Sequence, residues 1–148
     1  MAPKTIMLKG KGIRNERPAA AAGILPGHLL EIDSAGDYAV HSTATDNVGA
    51  KTFAIENELF GGDISTAYAA GDQVLAEVPP PGSVVYAWLL DGEVAVIGSR
   101  LDSNGDGTLK LVDTDAATDD TQRNAIVGIA TEALSPSGAN GRIKVEIV

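Results

Sequence analysis

The segment from Gly71 to Val112, GDQVLAEVPPPGSVVYAWLLDGEVAVIGSRLDSNGDGTLKLV, decides the fold class of this chain. Its apolar runs are rich in Val, Leu, Tyr and Trp, which suit a pleated, half-buried β surface. The runs are separated by turn-forming sequences: PPPG at 79–82, DG at 91–92 and NGDG at 104–107. The DG pair predicts a hairpin in which Val94–Leu101 returns beside Ser83–Leu90. The segment predicts a compact all-β domain, for which a binding or structural role is favoured over catalysis.

The composition of the whole chain agrees with a β architecture. Its 148 residues are enough for one domain with its own core. Aromatic residues make up only 4% of the chain, so Ala, Val, Leu and Ile must fill that core. Seventeen glycines and seven prolines indicate many tight turns. No apolar run approaches the length of a membrane span, and we expect no membrane partner.

Residue types and motifs needed for common enzyme chemistry are missing from the sequence. The chain has no cysteine, which excludes disulfides, thiolate metal sites and cysteine nucleophiles. It contains neither a GxSxG nucleophile motif nor a phosphate-binding GxxxxGK[ST] loop. Carboxylates are plentiful, but nothing singles out an acid pair of the glycosidase type. We therefore expect a protein that is not an enzyme and has no cofactor.

Charge divides the chain into a basic start and an acidic remainder. Residues 1–17 hold five cations against Glu16 alone, a net charge of +4, whereas the other residues carry a net charge of −13. The cations are Lys4, Lys9, Lys11, Arg14 and Arg17. We predict an extended basic N-terminal arm over residues 1–22 and a β domain over residues 23–148. The acidic domain would repel phosphates, so we expect no nucleic-acid partner; a frayed terminus without function is the alternative for the arm.

Two further segments show the β pattern clearly. Ser83–Leu90 is apolar on both faces, which predicts a central strand. Arg142–Val148 alternates strictly, which predicts that Ile143, Val145 and Ile147 face the core while Arg142, Lys144 and Glu146 face solvent.

A weak calcium-loop candidate lies at the NGDG turn. Oxygen ligands at alternate positions followed by a glycine are typical of calcium loops, and a carboxylate at position twelve usually completes them. The residues at those positions are Asp102, Asn104, Asp106 and Asp113. Because both flanks look like strands rather than helices, a plain hairpin turn is the preferred interpretation and no metal site is predicted. His28 and His41 have no metal-binding spacing and are interpreted as surface or strand-edge histidines.

Trp88 is the only tryptophan, and Tyr86 lies two residues earlier on the same strand face. Core packing is the default interpretation of this pair. A subunit interface is the alternative, because aromatic residues are enriched in such interfaces.

The order of the turn and strand blocks resembles the small capsid decoration, or cement, proteins of tailed bacteriophages. The blocks that carry the resemblance span residues 23–148 in order. They are PGHLLE at 26–31, AYAAGDQV at 67–74, VAVIGSRLDSNGDGTLK at 94–110, VGIATEA at 127–133 and RIKVEIV at 142–148.

The resemblance implies a β-barrel or β-tulip-like body that forms a homotrimer. It implies a structural protein made in the host cytoplasm and located in the virion, on the outer capsid surface. There it would clamp adjacent subunits of the major capsid protein and stabilise the expanded shell. We hypothesise that the five N-terminal cations contact the capsid, and that Tyr86 and Trp88 lie in the subunit interface.

Two other roles stay open at the level of sequence. A carbohydrate- or host-surface-binding β module displayed on a virion would need exposed aromatic side chains, and the few aromatic residues lie mostly in expected strands. The segment GEVAVIGSRL at 92–101 faintly resembles the turn and strand pattern of a lipoyl-type domain. Such a domain carries a modifiable lysine at a hairpin tip, and neither the Asp91-Gly92 turn nor the Asn104-Gly105 turn has one.

Overall fold

The computed structural model describes residues 1–44, 48–113 and 125–148. Eleven strands and one 3₁₀ turn, Glu58–Phe60, occur in these ranges. The strands are β1 (Met7–Lys9), β2 (Ile13–Pro18), β3 (Leu29–Ile32), β4 (Tyr38–Val40), β5 (Thr52–Ala54), β6 (Gln73–Val78), β7 (Val84–Leu89), β8 (Arg100–Ser103), β9 (Leu109–Leu111), β10 (Gly128–Ala130) and β11 (Gly141–Ile147). The all-β prediction is therefore confirmed.

Five of the strands close into a β-barrel in the order β7, β11, β10, β8 and β9. All its pairings are antiparallel except the last, in which Leu89 of β7 pairs with Leu109 of β9 in parallel and closes the ring. β1 joins β7 through the pair Met7–Val85. The expected central position of the Ser83–Leu90 segment is confirmed, because β7 pairs with three other strands.

A second sheet has the order β2, β6, β5, β3 and β4. Its pairings are all antiparallel, and the longest joins the six residues of β2 to the six of β6. A bridge between Ala19 and Tyr38 links the end of β2 to β4 across the sheet. Further backbone hydrogen bonds connect the two sheets, among them one from the Leu29 N–H to the Gly107 carbonyl.

The main core lies between the barrel and the second sheet. Phe53 and Leu29 of the second sheet pack in one cluster with barrel residues such as Leu101 and Leu109, and all four side chains are fully buried. A smaller cluster around Tyr38 and Tyr68 fills the other side of the second sheet. The predicted alternation of β11 is confirmed, since its three apolar side chains are buried.

Two expectations differ from the observed fold. An extended N-terminal arm is not confirmed, because β1 and β2 are paired with β7 and β6 and so belong to the two sheets. The predicted hairpin at Asp91-Gly92 is wrong. β7 pairs with β11, whereas residues after the turn make a bridge between Ala95 and Leu134 before β8 begins at Arg100. The DG pair does form a turn, but pairing with distant segments determines the position of the residues that follow it.

No helix in the described ranges is long and apolar enough to cross a membrane.

Candidate functional site

An exposed apolar segment follows the end of β7. Val94, Val96 and Ile97 are 64%, 58% and 73% exposed, while Ala95 between them is buried. The Ala95 N–H donates to the Leu134 carbonyl, and the Leu134 N–H donates back to the Ala95 carbonyl. The segment is thus held firmly at the end of the barrel with its larger side chains in solvent. We call Val94, Val96 and Ile97 the apolar patch.

A second exposed apolar site is the 3₁₀ turn between β5 and β6. Leu59 and Phe60 are 84% and 86% exposed. The Asn57 carbonyl accepts the N–H groups of Phe60 and Gly62, which fixes the turn. Gly61, in the left-handed conformation with φ 74°, ends it. Two adjacent exposed apolar side chains make this turn a candidate contact surface.

Carboxylates flank this 3₁₀ turn. Glu58 and Asp63 are both exposed. The N–H of Ser65 and the side chain of Thr66 donate to the Asp63 carboxylate and lower its pKa. The turn therefore presents two apolar side chains between two carboxyl groups. We call Glu58, Leu59, Phe60 and Asp63 the acidic knob.

The five N-terminal cations are not equivalent in the structure. Arg14 forms a salt bridge of 3.4 Å with Glu77, a carboxylate that is only 2% exposed. Arg17 donates to the Gly36 carbonyl and lies over the Tyr38 ring. Both arginines therefore hold β2 to the body of the protein.

The three lysines differ from these arginines. Lys4, Lys9 and Lys11 are exposed and have no acidic partner among the described residues. Charges that are already in water and unpaired can bind a partner without first breaking an internal contact. The structure thus leaves three of the five candidate cations available for binding.

The aromatic pair on β7 has internal partners. Trp88 donates its indole N–H to the Pro26 carbonyl at 3.0 Å. The guanidinium of Arg142 lies over the indole ring, and its Nη2 donates to the same Pro26 carbonyl and to the carbonyl of Ile64. Tyr86 is half-buried and packs against the main core. Their place in a subunit interface stays a prediction.

The two histidines lie at strand ends, His28 directly before β3 and His41 directly after β4. Burial lowers the pKa of His28 from 6.5 to about 4, with Asp106 opposing and Arg142 reinforcing the change. The His28 ring is therefore neutral at pH 7, and its Nδ1 accepts the Leu25 N–H. His41 is buried, and its Nδ1 lies 2.7 Å from Ser103 Oγ. Both histidines are strand-edge residues with internal hydrogen-bond partners, which agrees with one of the two interpretations given above.

The calcium-loop candidate has the geometry of a turn. Asp102 is fully buried in β8, while the Asp106 carboxylate accepts hydrogen bonds from the N–H and hydroxyl of Thr108. Burial opposes ionisation of Asp106, but these hydrogen bonds outweigh it and lower its pKa. Asn104 donates its N–H to the Thr108 carbonyl. Within the described residues, no group of three or more His, Asp or Glu side chains is placed to hold a metal ion.

No protein-family model and no curated protein matches the chain. Its candidate binding surfaces are therefore identified by their geometry: the apolar patch, the acidic knob and the three free lysines.

Sequence reasoning missed the first two of these surfaces. Val94, Val96 and Ile97 belong to a continuous apolar run, so the sequence predicts that they pair and pack as part of a strand. Leu59 and Phe60 lie beside Gly61 and Gly62, and a glycine-rich segment of this kind indicates a loop without showing which side chains are exposed. A pattern of apolar residues shows where burial is favourable, but not whether the covering surface belongs to the same chain.

Proposed function

We propose that this protein is a structural virion protein that decorates the outer surface of a tailed-bacteriophage capsid. In this proposal it binds as a homotrimer, clamps adjacent major capsid subunits and stabilises the expanded shell. The observation that carries the proposal is the apolar patch, since three large apolar side chains are held in water on a rigid loop. The resemblance of the strand and turn blocks supplies the identity of the partner.

The fold supports a clamping role. A small closed barrel with a packed second sheet is a rigid body, and rigid bodies lose little conformational entropy on binding. Several rigid copies acting together gain further through avidity, since each additional contact becomes intramolecular once the first has formed. The acidic remainder of the chain keeps the outer face soluble and repels nucleic acid released from damaged particles.

Lys4 adds a free positive charge to the surface of the protein. The segment that carries it is fixed, because Thr5 and Ile6 both donate to the Glu56 carboxylate and the Tyr86 N–H bonds to the Ile6 carbonyl. An exposed lysine on a fixed segment suits a capsid surface that presents acidic groups.

Substitution within the patch tests this proposal. We expect Val96→Asp and Ile97→Asp to fold normally but to lose binding to expanded, decoration-free capsids in co-sedimentation. Ile32→Asp is the matched control, since Ile32 is also an exposed isoleucine but lies on β3, away from the patch. Equal binding by all three variants would contradict a role for the patch.

Carbohydrate binding is a second candidate, and one observation favours it. Phe60 is an exposed aromatic side chain at the edge of a cavity of about 200 Å³ that also has Asn57, Thr66 and Asp72 in its walls. An aromatic ring beside a few polar groups is a common arrangement in small-ligand sites. A glycan screen with the wild-type protein and Phe60→Ala tests it. Binding that depends on Phe60 would support this candidate, and no binding to any glycan would exclude it for the glycans screened.

A further inference from the structure

Two surfaces of complementary character flank the edge strand β2. One is the acidic knob, with exposed Leu59 and Phe60 between the carboxylates of Glu58 and Asp63. The other, which we call the basic strip, consists of the free lysines Lys9 and Lys11 and the 70% exposed Ile13. Each surface joins two charges of one sign to exposed apolar groups, and the signs are opposite.

The register of β2 places the acidic knob and Ile13 of the basic strip on opposite faces of the same edge. Directly opposed residues in an antiparallel pair point to the same face, and successive residues alternate. Glu16 is opposite Leu75, and both line a cavity of about 250 Å³ with Leu59, so the knob lies over that face. Ile13 is an odd number of positions from Glu16 and therefore points to the other face.

The edge is open over residues 13–16. Among the described residues, β2 pairs with β6 along its length and the chain is bridged to β4 only after its end, at Ala19, while residues 13–16 are exposed. Charged side chains and the terminal Pro18 discourage another strand from pairing with this edge. Side-chain contacts to the two faces of β2 are not blocked in this way.

We propose that the acidic knob of one copy binds the basic strip of the next copy. This contact is heterologous, since it joins two different surfaces, and heterologous contacts close into rings when the rotation between copies allows it. In a ring of three, each subunit contacts both of its neighbours, and the two contact surfaces meet at the symmetry axis. These two surfaces must therefore lie on opposite sides of one edge of the subunit. The knob and the strip satisfy this requirement, with β2 nearest the axis. The ring of three rests on the trimer in the proposed function.

The proposal divides the free lysines between two partners. Lys9 and Lys11 lie near the Val84 end of β7, since Lys9 pairs with Val84. Lys4 lies toward the opposite end, since Ile6, two residues after it, is bonded to Tyr86. Lys9 and Lys11 therefore serve the neighbouring copy and Lys4 serves the shell.

Charge reversal with mixing tests the contact. The first protein carries Lys9→Glu and Lys11→Glu, and the second carries Glu58→Lys; Asp63 is left in place because it accepts hydrogen bonds within its own loop. In sedimentation velocity, the concentration below which each variant alone dissociates should be about tenfold higher than that of the wild type. An equimolar mixture should recover association. Two of the three contacts in a mixed ring then join opposite charges.

Controls separate this contact from folding and from capsid binding. Lys4→Glu reverses a free charge in the same segment and should leave the oligomer unchanged. If the doubly substituted lysine variant fails to fold by circular dichroism, Phe60→Ser removes the larger of the two exposed apolar side chains of the knob and should also weaken association. A wild-type monomer at all concentrations, or reversal variants that associate like the wild type, would overturn the inference. Capsid co-sedimentation of the same proteins tests the proposed function separately. If the reversal variants still form wild-type oligomers and still bind capsids, the knob–strip contact is overturned but the proposed function is not.

Discussion

The guanidinium of Arg142 stacks on the indole of Trp88, with Cζ 4.1 Å from the ring centroid. Both side chains also donate to one acceptor, the Pro26 carbonyl. β11, β7 and the loop before β3 are thereby joined at a single point. Partial burial lowers the pKa of Arg142, but an arginine remains charged at any pH at which the protein is folded.

Arg142→Ala is expected to destabilise the protein by about 2 to 4 kcal/mol. The substitution removes a partly desolvated cation–π contact and leaves the Ile64 carbonyl without this donor. Urea unfolding monitored by Trp88 fluorescence measures the change. Arg142→Lys should recover only part of the loss, because an ammonium lacks the planar donor geometry.

Arg100→Ala is the control for Arg142→Ala. Arg100 is an exposed arginine on β8, and its loss should change the free energy of unfolding by less than about 0.5 kcal/mol. Equal effects of the two substitutions would show that the Arg142–Trp88 contact has no special role in stability.

We expect the folded protein to lose stability on mild acidification because of His28. Its pKa is about 4 in the folded protein and 6.5 when exposed, so the unfolded chain binds more protons between these values. Stability is therefore complete above pH 6.5 and falls as the pH drops toward 4. Between pH 7 and pH 5 the loss attributable to His28 should be about 2 kcal/mol.

The comparison variant for this pH effect is His28→Gln, which cannot titrate. Urea unfolding at pH 7 and pH 5 should show a smaller pH difference for the variant than for the wild type, by about 2 kcal/mol. The groups that face the His28 ring are Asp106, Arg142 and Trp88, and none of them is altered. The same pH difference in both proteins would rule out His28 as its source.

Gly27 is expected to tolerate no side chain. Its φ is 96°, and a Cβ atom there would lie 2.8 Å from the Tyr86 carbonyl oxygen, which is part of a strand and cannot move freely. Gly23, with φ 98°, has open space around the same position. Gly23→Ala should cost about 1 kcal/mol, the penalty of the backbone conformation alone. Gly27→Ala should cost at least twice as much by thermal or urea unfolding, and equal costs would contradict the close approach.

Glu77 is expected to hold β2 in the sheet. Its buried carboxylate accepts the Gly12 N–H and pairs with Arg14. In Glu77→Ala, hydrogen exchange at those amides of residues 13–17 that are hydrogen-bonded to β6 should accelerate by about tenfold or more, while the bonded amides of β11 keep their protection. Glu16→Ala, an exposed carboxylate on β2 itself, serves as the control. Rapid exchange of these amides already in the wild type would instead favour the extended arm.

The sequence was sufficient for the fold class and for many strands. Strict alternation in β11 and the turn residues around β6 and β7 reflect local requirements, which a single segment displays. Pairing between distant segments is different, because it depends on shape and burial across the whole domain. The pairing of β7 with β11 rather than with the segment after Asp91-Gly92 could not be read from local signals.

The candidate sites were predicted less completely for a related reason. Five cations in the first seventeen residues were visible as a group, but only the fold shows that Arg14 and Arg17 are occupied by internal partners. Phe60 is exposed because Gly61 and the carbonyl of Asn57 turn the backbone outward. The residue type alone does not show this exposure.

The proposed function is the decoration of a phage capsid by trimers of this chain. Co-sedimentation of the purified protein with expanded, decoration-free phage capsids tests this proposal most directly, with the amount bound read from the pellet. The expected result is saturable binding at a fixed multiple of three copies for each lattice site. A folded protein that stays in the supernatant at all concentrations would contradict it.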